Sequence, residues 1–421
     1  MSEAEILRPP ATPHYTNSNK PERTAPSAMQ LNLSTGALLL LIAAVVAMLT
    51  RRLRLPYSVG LVAAGVLLAV MPFAPKVSLT KDLLFAVLLP PLLFEAAFYI
   101  SWNQLRRDFS VIVVLATLGV LLSACVTAAG MHYLVGWEWL GALAFGVLIA
   151  ATDPVSVIAT FKEAKARGRL LVLVEAESLF NDGTAAVAFG VVIAMAAGQQ
   201  LTSLEIGVML LKTIGGGILC GGAVALGALL LAGRTEDHLV EITFTTIAAY
   251  GSFLLADHFG LSGVLATITA GLVMGNFESF GTISDRGKEA VHAFWEYAAF
   301  VANSMVFLLI GMHEAHQDFV AIWIPALSAI ALVLLGRAVA IYPCCLLFSR
   351  SPLRVAMKHQ HILLWGSLRG AVALALALGL PPEVPQREKI ITVSFAVVAF
   401  SVFAQGLSMG LRLRRMGEIP G

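Results

Sequence analysis

With 421 residues, 58% of them hydrophobic and 13% charged, the chain is far from the composition of soluble domains, in which about a quarter of residues are charged. Its length alone would suit two or three soluble domains, but apolar runs of about 20 residues recur from Leu31 to Leu411 and exclude that reading. The net charge of +2 carries little information, because in a membrane protein the distribution of basic residues matters more than their sum.

Residues 1–30 are polar and rich in Pro, Ser and Thr, which predicts a disordered tail, and they lack the pattern of a signal peptide. About thirteen membrane spans follow, at roughly 33–50, 56–72, 82–100, 109–135, 139–160, 170–197, 204–232, 239–257, 260–276, 290–312, 319–348, 360–380 and 389–411. The connections are short, and nothing after Arg415 resembles a regulatory domain, so the chain reads as a bare membrane unit. The four cysteines (Cys125, Cys220, Cys344, Cys345) lie in apolar segments and read as small core residues. Gly215 to Gly217, with Gly221 and Gly222, reads as close helix packing.

Basic residues test the count. Connections after the odd-numbered spans, together with the C-terminal tail, hold 18 Lys and Arg against 7 in the opposite set, counting Lys389 at the edge of span 13. The positive-inside rule then places the C-terminus in the cytoplasm and the N-terminus outside, in the plasma (inner) membrane. An odd total also permits two inverted six-helix repeats, 31–198 and 239–411, joined by a linker helix at 204–232. Spans 5 and 12 then correspond. Span 5 carries Thr152-Asp153-Pro154 and span 12 carries Gly366-Ser-Leu-Arg369-Gly-Ala, and interrupted helices at matching positions mark a midplane site.

Several polar residues lie deep in these segments. Asp153 and Asp182 sit where a charge costs roughly 2.5–3.5 kcal/mol, so they must face a cavity or a partner. Pro154 donates no backbone hydrogen bond and pushes Asp153 out of helical geometry, so span 5 should open near Thr152-Asp153. On span 6, Ser178 and Asp182 share one helix face and offer a hydroxyl and a carboxylate suited to a hard cation. Glu177 and Asn181 form a second pair, rotated by about 100° and suited to holding structure together. Arg337 and Arg369 lie in the same slab of membrane, roughly 10–17 Å deep along with Asp153 and Glu177. Two arginines against Asp153, Glu177 and Asp182 leave one acid without a cation.

Thr152-Asp153-Pro154, Glu177-Ser-Leu-Phe-Asn181-Asp182-Gly and Gly366-Ser-Leu-Arg369-Gly-Ala, in that order, resemble the monovalent cation/proton antiporter family, as does Pro90-Pro91-Leu-Leu-Phe-Glu95. The resemblance covers nearly all of the chain from Leu31 to Leu411. It implies a homodimer in which a core of spans 4–6 and 11–13 moves against a dimerisation domain. It implies that Asp182 binds the ion and the proton, and that Asp153, Ser178 and the Thr152 carbonyl help hold the cation. It further implies that Glu177 pairs with Arg337, and that Asn181 marks the electroneutral branch. Ser367 departs from the family, where glycine is common. The chain therefore reads as an all-α polytopic antiporter of Na⁺ (or Li⁺) for H⁺, with K⁺/H⁺ exchange, or a channel or sensor of the same fold, as alternatives. It is expected to be no enzyme, to need no cofactor and to bind no nucleic acid. An intramembrane aspartyl protease is disfavoured, since neither aspartate has the Gly-x-Gly-Asp context.

Overall fold

In hydrocarbon every backbone N–H and C=O must find its partner within the segment, which makes an apolar run of this length a helix. The computed structural model describes residues 33–53, 55–72, 79–153, 158, 161, 168–200, 202–233, 236–277, 284–315 and 322–419, and all named elements among them are helices. The predicted tail at 1–30, Pro154, and Lys162 to Arg167 lie outside the described residues.

The first three helices are α1 (Leu33–Leu53), α2 (Tyr57–Val70) and α3 (Leu83–Phe98). After them come α4 (Trp102–Val135), α5 (Trp139–Leu148) and α6 (Arg169–Ala196). The middle of the chain forms α7 (Ser203–Ala232), α8 (His238–His258), α9 (Gly263–Phe277) and α10 (Asp285–Glu314). The last are α11 (Trp323–Leu346), the short pair α12 (Met357–Trp365) and α13 (Ala371–Leu378), and α14 (Arg387–Arg415). Eight helices are long and apolar enough to cross a membrane alone, and α2, α3, α5 and α9 are shorter apolar helices. Among the described residues each predicted span meets one named helix, except that span 12 meets the broken pair α12 and α13.

Two helix boundaries and the reading of the cysteines differ from the sequence reading. Helix α4 begins at Trp102 rather than near residue 109, because Asp108 is buried and pairs with Arg169 (Nε to Oδ1, 2.9 Å). Helix α5 ends at Leu148, short of residue 160, and Thr152-Asp153 is not helical. A proline at the next sequence position disfavours helical geometry in the residue before it. Cys125 is exposed, so of the four cysteines only Cys344 and Cys345 are buried core residues.

The helices pack mainly in two groups, α1–α3 with α7–α10, and α4–α6 with α11–α14. Small residues let backbones approach within each group. A Cβ on Gly65 would lie 2.2 Å from the Leu308 carbonyl, and one on Gly311 would lie 2.2 Å from the Val62 carbonyl, so α2 and α10 lock reciprocally. Gly221 meets the Ala266 carbonyl in the same way, which joins α7 to α9. In α3, Pro91 has no N–H for the Val87 carbonyl, and the Tyr250 hydroxyl of α8 donates to that oxygen instead (3.0 Å).

The α2–α10 lock is testable. Gly311→Ala forces a methyl against main chain that cannot rotate away, and should cost about 1–3 kcal/mol. It should lower the thermal midpoint of the purified protein in detergent. Gly190→Ala, where an added Cβ meets nothing within 4 Å, should leave the midpoint unchanged.

Candidate functional site: a carboxylate cavity at two interrupted helices

The chain break after α5 and the break between α12 and α13 cross each other. The Asp153 N–H donates to the Leu368 carbonyl at 2.8 Å, a backbone bridge between them. Only glycine fits at position 370, because a Cβ there would lie 2.2 Å from Asp153 Oδ2. Asp153 therefore rests against the first turn of α13, where the partial positive charge of the helix N-terminus favours a carboxylate.

Helix α6 braces this crossing. Asn181 takes the Thr152 N–H on Oδ1 (3.1 Å) and donates from Nδ2 to Thr152 Oγ1 (2.7 Å) and to Glu177 Oε1 (3.4 Å). The Ser178 hydroxyl donates to the Thr152 carbonyl and lies 3.1 Å from Thr152 Oγ1. The amide of Asn181 is thus fully committed to holding the unwound strand.

The charged residues separate into two places. Arg337 on α11 grips Glu177 with two parallel bonds, Nη1 to Oε1 and Nη2 to Oε2, both 2.8 Å. Both side chains are almost wholly buried (4% and 2% exposed), so the pair is dry. Arg369 stays in the second break, where its Nη1 donates to the Ser367 carbonyl at 3.0 Å and its Nε has no hydrogen-bond partner among the described residues. Asp182 lies in electrostatic reach of Asp153, Glu177 and Arg369. It is 9% exposed, and among the described residues its buried Oδ1 has no hydrogen-bond partner.

Asp182, Asp153, Thr152 and Ser178 line one wall of a cavity of about 110 Å³, with Glu95 of α3 and Asn303 of α10 also lining it. The cavity thus lies between the two helix groups. Glu175, a turn before Ser178 and Leu179 on α6, lines it too. A small enclosure with several carboxylates, a hydroxyl and a carbonyl suits a hard cation rather than an organic substrate.

Two residues that sequence reasoning passed over complete the site. Gln405 of α14 donates from Nε2 to the Trp365 carbonyl at 3.1 Å, an oxygen left open where α12 stops. The Trp365 ring is held in turn by Ser408 (Nε1 to Oγ, 2.8 Å) and by the Arg412 guanidinium, 3.9 Å from the ring centroid. Asn303 is the second. Both are amides inside apolar spans, a signal that the same search for buried polar groups would have caught.

The Glu177–Arg337 pair can be measured by itself. Removing one partner leaves a buried charge, costing roughly 3–5 kcal/mol. Glu177→Gln and Arg337→Met should each lower the thermal midpoint more than the double replacement does. Additive losses in that cycle would show the two side chains to be energetically independent.

Comparison with known proteins agrees with this architecture. The family described as "Sodium/hydrogen exchanger, transmembrane" matches residues 38–415. The Na⁺/H⁺ antiporter ApNhaP of Aphanothece halophytica is 38% identical over 368 residues, covering 87% of this chain and 70% of its own. The Na⁺/H⁺ antiporter NhaP of Pseudomonas aeruginosa is 33% identical, covering 80% of this chain and 81% of its own. In fold, the chain is similar to the sodium proton antiporter MjNhaP1 from Methanocaldococcus jannaschii, with a TM-score of 0.73 at 20% identity over 92% of this chain and 98% of that one. The chain belongs to the sodium/hydrogen exchanger family.

Proposed function

We propose that this protein exchanges Na⁺ or Li⁺ for H⁺ by alternating access, with Asp182 as the group that carries either one. One observation carries this reading: Asp182 lines a small cavity that Asp153 also lines, and among the described residues its buried Oδ1 has no hydrogen-bond partner. Burial penalises a bare carboxylate charge, so the empty anion is the unfavourable state. A proton relieves it, and so does a cation held between Asp182 and Asp153 with the Ser178 hydroxyl and the Thr152 carbonyl. The two cannot be held together, and competition at one site, with the site opening to one side of the membrane at a time, couples the two flows. No covalent step or cofactor enters.

The supporting residues divide the work. Asn181 holds Thr152 in place, while Pro154 keeps span 5 from closing into a helix. Arg369 supplies positive charge at the crossing, and Glu177–Arg337 ties α6 to α11. We further propose that the chain lies in the plasma membrane with its N-terminus outside and its C-terminus in the cytoplasm. It would work as a homodimer, with α4–α6 and α11–α14 moving against the remaining helices. The order of spans around the two breaks supports the inverted repeats 31–198 and 239–411.

Two measurements test the proposal. Asp182→Asn should abolish exchange in proteoliposomes while leaving the protein folded, since an amide binds no proton and is a weaker cation ligand. Asp153→Asn should weaken Na⁺ affinity by roughly tenfold or more, the equivalent of about 1.4 kcal/mol. Robust exchange by purified Asp182→Asn would overturn the assignment.

Exchange should also be electroneutral. Asn181 leaves Asp182 as the single carboxylate that loads and unloads, while Asp153 stays ionised and Glu177 is neutralised by Arg337. A potential of 100 mV contributes roughly 2.3 kcal/mol per net charge moved, enough to bias any electrogenic cycle strongly. Na⁺-driven proton movement should therefore be unchanged when such a potential is imposed. Marked acceleration or reversal would mean that a second group titrates during the cycle.

A further inference from the structure

We propose that Asn303 on α10 supplies an oxygen ligand that closes the cation's shell from the far side of the cavity and so sets its affinity. The inference rests on the antiport reading above. A hard cation is held by oxygens of carboxylates, carbonyls, hydroxyls and water. Asp182 and Ser178 come from α6, and Asp153 and Thr152 from the break after α5, so all four approach from one helix group. The opposite wall belongs to α3 and α10, where Glu95 and Asn303 line the same cavity.

Those two wall residues differ in availability. Glu95 is engaged in an interaction of its own. Asn303 is half-buried, and no hydrogen bond to its amide is present among the described residues. The contrast with Asn181 is direct, because every polar atom of that amide is already used. An unpledged amide can turn its oxygen to a cation or its N–H groups to a carboxylate, according to what occupies the site. It does so without adding a charge, which leaves Asp182 as the single group that gains and loses one.

The turn that carries Asn303 is held firmly. The next residue, Ser304, is wholly buried and lies 2.8 Å from the Tyr57 hydroxyl of α2. The Tyr57 ring stacks on Phe300 at 5.5 Å between centroids, with 12° between planes. Farther along, the reciprocal contacts of Gly65 and Gly311 fix the two backbones against each other. A ligand on such a support is presented in a fixed place rather than recruited by a loop.

The test uses near-isosteric replacements in the full-length protein, reconstituted in liposomes, with KM and maximal rate measured for Na⁺ and Li⁺ at alkaline pH. Asn303→Leu keeps the volume and removes the oxygen, and should raise KM by about tenfold with the maximal rate nearly unchanged. Asn303→Asp keeps an oxygen at the same place and should hold KM within about threefold of the native value; these factors correspond to roughly 1.4 and 0.7 kcal/mol of binding free energy. A purely structural role would instead lower the maximal rate and the thermal midpoint in both variants. If Asn303→Leu does not fold, Asn303→Ala makes the same comparison, and Na⁺-induced thermal stabilisation reads binding without transport. Unchanged KM in the variants without an oxygen, or equal loss in Asn303→Asp, would overturn the proposal. Native protein that moves no protons in response to Na⁺ would overturn the antiport reading itself, so the two failures are distinct.

Discussion

A backbone hydrogen bond of 2.8 Å, from the Asp153 N–H to the Leu368 carbonyl, is the constraint on which the site depends. Two helices stop inside an apolar bundle, and each stop leaves main-chain groups without intrahelical partners, several kcal/mol apiece in hydrocarbon. Crossing the two breaks lets one satisfy the other. Three further open groups among the described residues are met by side chains. The Thr152 N–H goes to Asn181, the Thr152 carbonyl to Ser178, and the Trp365 carbonyl to Gln405. A break whose described groups are met in this way can hold an irregular backbone at membrane depth, and irregular backbone is what frees oxygens to meet a cation.

The electrostatics follow from how the charges are divided. Glu177 and Arg337 neutralise each other in a bidentate pair, and such a pair is costly to break but contributes little net stability. Its value is to take one acid out of play. Arg369 turns instead to a carbonyl of its own break. Asp182 and Asp153 are left lining the cavity, with Arg369 in electrostatic reach of Asp182. An environment that disfavours two adjacent anions favours any small cation or proton that reaches them.

Much of this was legible in the chain. The apolar runs predicted the helices nearly one for one, because hydropathy in a membrane leaves the backbone a single solution. The depth of Asp153, Glu177, Asp182, Arg337 and Arg369 could be read from their position in those runs. Helix ends were less legible. Trp102 to Asp108 looks like a polar connection, yet it is the first turns of α4, because Asp108 finds Arg169 on another helix. Cys125 looks like core and is exposed, since an apolar run in a membrane does not tell which face meets lipid.

By itself, then, the sequence determined that the chain spans a membrane repeatedly, where its helices are interrupted, and which buried side chains carry charge. These are local consequences of hydropathy, proline geometry and the cost of burying ions. Only the tertiary structure decided which arginine meets which acid, that Gly370 makes room for Asp153, that Gln405 closes an open carbonyl, and that Asn303 lines the same cavity as the carboxylates. Those pairings join residues from 40 to 217 positions apart, and their geometry comes from how whole helices pack, which no local pattern of residues encodes.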